Sequence, residues 1–266
     1  MAINFLSTET YEVIHSKAQH RNIKTSNYEP TITFFISCFN EHEYIIETIK
    51  NVIAAANKSK KSFEIIIIDD NSSDQSGSKV KKFIQNNNKL AITLILNKIN
   101  RGLAKNFIEA SIISNGKYFR LICGDNVESF SNIYKVVMNI GNADLIVPYH
   151  KTVKGKPKVR ILLSKTYTLI INIISGNKFK YYNGLCIFNR NDILRNQTPT
   201  SGFAFQAELL CNIMANKKNC TYIEVPLNVK EVKASGALNS NNILSVIRVF
   251  LNIFINRVSS IVKKNN

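Results

Sequence analysis

The sequence predicts an α/β fold, a mostly parallel sheet flanked by helices and followed by an amphipathic C-terminal helix. Three observations predict it. Short runs rich in β-branched and aromatic residues alternate with longer amphipathic segments through residue 148, the mark of right-handed βαβ units. The run Ile65–Ile68 is apolar on both faces, as a central parallel strand covered by helices requires. The 266 residues are 45% hydrophobic and 20% charged, enough to bury one large core, which excludes disorder and a collagen-like fibre.

Residues 1–30 read as a polar lead-in ending at Pro30, with a short helix from Thr10 to Gln19. Strand runs follow at 31–37 (TITFFIS), 63–69 (FEIIIID), 90–96 (LAITLIL), 117–123 (KYFRLIC) and 143–148 (ADLIVP). Helical patterns lie between them at 41–57, 75–87, 103–115 and 129–140, and another covers 203–218. The chain thus divides into the lead-in, a main domain over 31–240 and a basic amphipathic helix over 241–266.

Charge is the unusual quantity. Thirty-five Lys and Arg against 18 Asp and Glu leave +17, which implies an anionic partner: nucleic acid, an acidic membrane or a phosphate-bearing substrate. Leu145 to Asn191 contains no acid and nine basic residues, and five more follow Glu231 without an acid. A solvated basic face and an anion-binding surface both fit that clustering. Cys38, Cys123, Cys186, Cys211 and Cys220 form no CxxC pair and the four histidines are scattered, which argues against a zinc site of Cys and His. The opening MAINFLSTETYEV lacks the basic and apolar regions of an export signal, so the expectation is a cytoplasmic chain with reduced thiols filling its core. Ile243 to Val262 carries Arg248 and Arg257, and a mid-bilayer arginine costs roughly 2.5–3.5 kcal/mol. A transmembrane span is therefore disfavoured. A helix lying at a membrane interface and an ordinary helix packed on the core both remain.

In an open parallel sheet, ligands bind beyond the carboxyl ends of the strands. Ser37, Cys38, Phe39, Asn40 and Glu41 follow the first run; Asp69, Asp70 and Asn71 close the second. Asn97, Asn100, Arg101 and Gly102 follow the third, and Gly124, Asp125 and Asn126 the fourth. Helix capping accounts for any one of these, Asn40, Asn71 and Ser73 being good N-cap types, but acids and amides at four strand ends together argue for a ligand. GxGxxG, GxxxxGK[ST] and GxSxG are absent, which argues against a dinucleotide dehydrogenase, a P-loop NTPase and an α/β-hydrolase. A nucleotide held by carboxylates, with Mg²⁺ or Mn²⁺ screening its phosphates, remains open.

TITFFISCFNEHEYIIETI resembles the opening strand and helix of family 2 glycosyltransferases, and IIIIDDNSSDQS resembles their second strand with its Asp-Asp-x-Ser-x-Asp turn. NKINRGLAKNFIEASIISNGKYFRLICGDN is similar to the stretch leading to their Asp-x-Asp element. KYYNGLCIFNRNDIL, SGFAFQAELL and VKASGALN resemble the dolichyl- and polyprenyl-phosphate mannosyltransferase branch. The likeness covers about residues 30 to 240 in order. It implies a GT-A nucleotide-binding fold and a catalytic domain over 31–240. It sets the nucleotide against Ser37, Asn40, Glu41, Gly102 and Lys105, with Asp69 or Asp70 bonding the base. It makes Asp125, the last carboxylate of Asp-x-Asp, the ligand of a divalent metal (Mg²⁺ or Mn²⁺). Cys123 stands where the first carboxylate belongs, and Asn126 follows the motif. Lys233, followed by Gly236, matches the basic residue of an Arg-x-x-Gly turn that stabilises the leaving diphosphate.

The activity implied is inverting transfer from a nucleoside diphosphate sugar. A hydroxyl acceptor needs a general base, for which SGFAFQAELL offers only Glu208. A polyprenyl phosphate needs none, being mostly ionised with a second pKa of about 6. The basic loop 151–165 and the C-terminal helix fit a lipid-phosphate acceptor or an anionic membrane surface, and so a peripherally membrane-associated protein. The alternatives are a transferase acting on a glycan hydroxyl in surface polysaccharide synthesis with Glu208 as base, a binder that has lost catalysis, and a nucleic-acid-binding protein. Against the last, no helix-turn-helix, RRM or zinc motif is present, so nucleic acid is not an expected partner.

Overall fold

The computed structural model describes residues 11–19, 28–153, 157–198, 202, 204–229 and 240–265. Its strands are β1 (Tyr11–His15), β2 (Ile32–Cys38), β3 (Phe63–Asp69), β4 (Ile92–Asn97), β5 (Tyr118–Cys123), β6 (Leu145–Val153), β7 (Ile187–Asn189) and β8 (Tyr222–Val229). They form one sheet in the order β1-β4-β3-β2-β5-β7-β6-β8. The pairs β2/β3, β2/β5, β3/β4 and β6/β8 are parallel, and β1/β4, β5/β7 and β6/β7 are antiparallel. The mostly parallel sheet expected from the alternating pattern is what forms.

The helices are α1 (Ile45–Ser59), α2 (Ser76–Asn86), α3 (Leu103–Ile113), α4 (Phe130–Val137), α5 (Lys158–Ser175), α6 (Arg190–Arg195), α7 (Phe205–Asn216) and α8 (Ser240–Asn265). They cover the sheet from both sides. One layer sets Ile45, Ile49 and Val52 of α1, Val80 and Ile84 of α2 and Ile133 of α4 against Phe34, Ile36, Ile65 and Ile67. The opposite layer packs α3, α5, α7 and α8 on Phe35, Ile66, Ile68 and Phe119. Alternate residues of each strand thus enter opposite cores, as a pleated strand buried on both faces demands. Phe107 of α3 is the hub of the second layer, its ring centroid 5.1 Å from both Phe119 and Phe205.

Two expectations need correction. The described residues of the helix expected over Thr10 to Gln19 do not form one: Tyr11–His15 pairs antiparallel with β4, with Tyr11 opposite Asn97, and of residues 11–19 only 17–19 are helical. The spacing of Tyr11, Ile14 and His15 suits a helix, but the open edge of β4 offers a full ladder of backbone hydrogen bonds. Of the expected basic loop 151–165, residues 151–153 end β6 and 158–165 begin α5, while 154–156 lie outside the described residues. No helix among the described residues is long and apolar enough to cross a membrane.

Candidate active site

Within the order β4-β3-β2-β5, successive strands are added to one side of β2 up to β4 and then, with β5, to its other side, and a doubly wound sheet opens its ligand crevice beyond such a switch point. The loops there are those after β2, β3 and β5. Asn40, Asn71, Gln75 and Asn126 in these loops all have positive φ, between 56° and 67°. Asparagine tolerates that left-handed region better than most residues, so the amides noted in the sequence serve backbone geometry as well.

The loops after β2 and β3 are stitched together. Asn40 N–H donates to Ser72 Oγ at 2.9 Å, and Asn40 Oδ1 accepts from Ser73 N–H at 2.9 Å. Glu41 N–H donates to Ser76 Oγ at 3.0 Å, and His42 N–H to Asp74 Oδ2 at 2.9 Å. Burial works to raise the Asp74 carboxyl, but the Ser76 hydroxyl and the backbone N–H groups of His42 and Ser76 outweigh it and hold the group below its usual range. Asp69 turns the β3 loop by accepting from Ser72 N–H at 2.8 Å. A Cβ at Gly77 would lie 2.5 Å from Asp69 Oδ2, so the start of α2 needs glycine to approach that carboxylate.

Asp70 points the other way and clamps the loop before α3. Its Oδ1 accepts from Asn97 Nδ2 and from Arg101 N–H, and its Oδ2 accepts from Gly102 N–H, each at 2.8 Å. Gly102 has φ +83°, which presents its N–H to Asp70. Lys105 stands exposed in the first turn of α3, and Arg101 pairs with Glu109 beside it. Of the predicted nucleotide residues, Ser37, Asn40, Glu41, Asp69, Asp70 and Gly102 thus lie on the loops or strand ends of this edge, and Lys105 in the first turn of α3 beside them.

The turn after β5 is built more sparsely. Ser37 O accepts from Gly124 N–H at 2.9 Å, joining β2 to the turn. Asp125 Oδ1 accepts only from Val127 N–H, at 3.2 Å, among the described residues. Burial, then the Asp125 and Glu128 carboxylates, push the Cys123 thiol up to about 12, so a metal would have to displace its proton to use it as a ligand. No group of three His, Cys, Asp or Glu suited to a metal exists among the described residues. One carboxylate oxygen of Asp125 is nevertheless left for an ion, and Mg²⁺ is commonly held by one or two carboxylates together with substrate phosphates and water. The residues present fit that mode and no richer one.

The structure adds Glu128, which the motif reading missed. It pairs with Arg120, a fully buried guanidinium in β5 that also donates to Leu185 O at 3.1 Å. Burial raises the Glu128 carboxyl; Arg120 opposes that shift and Asp125 adds to it. A charged residue inside the run YFRLIC was the available signal, since a buried guanidinium must find a partner.

Glu208 is 1% exposed on α7, and its Oε1 accepts from Asn252 Nδ2 of α8 at 3.0 Å. The carboxylate thus lies in the packing of α7 on α8. Lys233 and Gly236 lie outside the described residues.

Comparison with known proteins agrees with this architecture. The family model described as "Glycosyl transferase family 2" matches residues 33–198. A poly-beta-1,6-N-acetyl-D-glucosamine synthase of Staphylococcus aureus is 29% identical over 151 residues, 57% of this chain and 34% of that protein. An uncharacterized glycosyltransferase of Haemophilus influenzae is 28% identical over 117 residues, 44% of this chain and 35% of that protein. The chain thus matches about a third of the length of these relatives. Among solved structures, mannosyl-3-phosphoglycerate synthase from Rubrobacter xylanophilus superposes with a TM-score of 0.63 at 12% identity, covering 88% of this chain and 76% of that one. A mannosyltransferase from Pyrobaculum calidifontis in complex with GDP-Man and Mn²⁺ gives 0.58 at 14%, covering 96% and 78%. TarS 1-349 of S. aureus in complex with UDP-GlcNAc gives 0.56 at 17%, covering 86% and 69%. With its parallel sheet, its carboxylate-lined switch point and a family match over more than half its length, the chain belongs to glycosyltransferase family 2 and has the GT-A fold.

Proposed function

We propose that this protein transfers a sugar, with inversion, from a nucleoside diphosphate sugar to a lipid-linked phosphate. The observation that carries the choice of acceptor is the engagement of Glu208, buried and hydrogen-bonded to Asn252. A hydroxyl acceptor needs a base within reach of its proton, and this carboxylate is taken up in the packing of α7 on α8. A phosphate monoester attacks as the anion it already is. Its oxygen bonds to the anomeric carbon while the bond to the diphosphate breaks, and no proton has to be moved.

On the donor side, Asp70 is the better reader of the base. Its Oδ2 holds only the Gly102 N–H among the described residues, and a carboxylate oxygen can accept a second donor. Asp69 faces Ser72 and Gly77 instead. Asp125 would hold Mg²⁺ or Mn²⁺, which neutralises charge on the diphosphate. Lys233 would add a second positive charge there. The stitched β2 and β3 loops hold this cradle in place before substrate arrives.

The test is a screen of UDP- and GDP-sugars against a polyprenyl phosphate and against oligosaccharides, reading released nucleotide. Release that depends on the lipid phosphate is the expected result. Release with oligosaccharide alone would favour the second reading, a hydroxyl acceptor in polysaccharide synthesis, to which the likeness to the S. aureus synthase lends support.

A further inference from the structure

Helix α8 buries Val249 and Ile253 in the core yet leaves a second, wide apolar face uncovered, unlike an ordinary helix packed on a water-soluble core. Its polar side chains turn inward: Asn252 donates to Glu208, Asn256 Nδ2 donates to Asn212 Oδ1 at 2.9 Å, and Arg257 donates to the carbonyls of Ile173 and Ile174 at 2.8 and 3.0 Å. Its large apolar side chains turn outward, among them Ile247, Leu251, Phe254, Val258 and Ile261, with Phe254 53% exposed. At about 3.6 residues per turn these fall within roughly a third of the helix circumference, opposite the buried Val249 and Ile253. Ser259 and the exposed Arg248 lie along the margin of that face.

Helix α5 continues the surface. Of its 18 residues only Ile171 is fully buried. Val159, Leu162, Leu169 and Ile173 are exposed on one stripe, Leu162 and Ile173 each at 66%. The helices meet where Tyr167 packs on Phe250, ring centroids 5.7 Å apart, and the exposed Leu163, Ile247 and Leu251 flank that seam at helical spacing. Two side-by-side helices therefore present one apolar face, where soluble proteins rarely leave more than a few hundred Å² of it bare. The edges are cationic: Lys158 and Lys165 are exposed beside the α5 stripe, with Lys151 and Lys178 near its ends, in a stretch from Leu145 to Asn191 without an acid.

We propose that α5 and α8 form a platform that docks on an anionic lipid bilayer, apolar side chains in the acyl boundary and lysines among the headgroups. The charge selects the occupant: an acid-free basic rim repels a second copy of itself and attracts anionic headgroups. Neither helix can span, so the chain lies on the surface. Through Asn252 and Glu208 the platform packs on α7, whose Phe205 meets Phe107 of α3, the helix that begins at the Asp70 clamp.

The experiment is cosedimentation of the full chain with vesicles of phosphatidylcholine alone or mixed with phosphatidylglycerol, at low and physiological salt. Binding only to the anionic vesicles, weakened by salt, is expected. The double variant Leu162→Glu, Phe254→Glu changes two exposed side chains and should keep the wild-type circular dichroism while binding at least about tenfold more weakly. No binding at low salt, equal binding to both vesicles, or unchanged binding by a folded double variant would overturn the proposal. So would a dimer in sedimentation velocity that the same variant dissolves, with no vesicle binding by either protein. Donor and metal are absent throughout, so failure here leaves the proposed sugar transfer standing.

Discussion

Asp70 and Asp125 stand at the carboxyl ends of two strands separated only by β2, yet their surroundings differ sharply. Asp70 is 5% exposed and receives three hydrogen bonds from Asn97, Arg101 and Gly102. Among the described residues Asp125 receives one, from Val127. Around Asp70 the loops after β2 and β3 are tied by Ser72, Ser73, Asp74 and Ser76. Beside Asp125 stands the Cys123 thiol, pushed up to about 12 chiefly by burial. One region is a finished cradle whose carboxylate holds loops together; in the proposed reaction the other offers a carboxylate to a metal that arrives with the substrate.

The difference can be broken from either side. Asp125→Asn removes a charge and no structural bond, so transfer should fall at least about 100-fold while the melting temperature stays at the wild-type value. A normal rate in that variant, or full activity in excess chelator, would remove Asp125 and its metal from the reaction. Asp70→Asn should do the reverse in kind. Its new amide faces the Gly102 N–H where an acceptor is needed, which should cost roughly 2–3 kcal/mol of stability, readable by urea denaturation. A variant as stable as wild type would show that the clamp contributes little.

Smaller effects sharpen the contrast. Glu208→Gln keeps an acceptor for Asn252 and should change turnover less than about tenfold; a loss of about 100- to 10,000-fold with a rate that falls at low pH would mark Glu208 as a base and favour the hydroxyl acceptor. Acid should loosen the stitched loops selectively. Asp74 is depressed in the folded chain, so its contribution is complete above the unfolded value of about 3.9 and is lost as pH falls through the lower folded one. The amide resonances of His42 and Ser76, which donate to it, should shift below pH 4 (about the unfolded value) before those of Gly124 do. Simultaneous shifts would place the two regions in one cooperative unit.

Much of this was legible in the sequence because it is local. The strands over 31–37, 63–69, 90–96 and 117–123 and the helices between them come from patterns within single segments, and the carboxylates at their ends follow from the position of each strand end. What stayed hidden depends on partners far along the chain. Tyr11–His15 is a strand only because β4 has an open edge. Arg120 finds Glu128 across the β5 turn, where no helical or strand period connects them. The pattern of α8 shows two faces but not which one turns inward, and Asn252 and Asn256 settle that through Glu208 and Asn212. Nor does the run 151–165 announce a helix, since its lysines and apolar residues become a stripe only once α5 is wound against α8.

The most direct test of the central claim, that the sheet edge binds a nucleoside diphosphate through a metal held by Asp125, is calorimetric titration of UDP and of GDP, each with Mn²⁺ and with chelator. The account predicts that Mn²⁺ tightens binding of one of these nucleotides by at least about tenfold (about 1.4 kcal/mol) in the wild-type chain, and that Asp125→Asn abolishes the gain while retaining the weak metal-free binding of the Asp70 cradle. Equal affinity with Mn²⁺ and with chelator, or a gain that survives in Asp125→Asn, would contradict it.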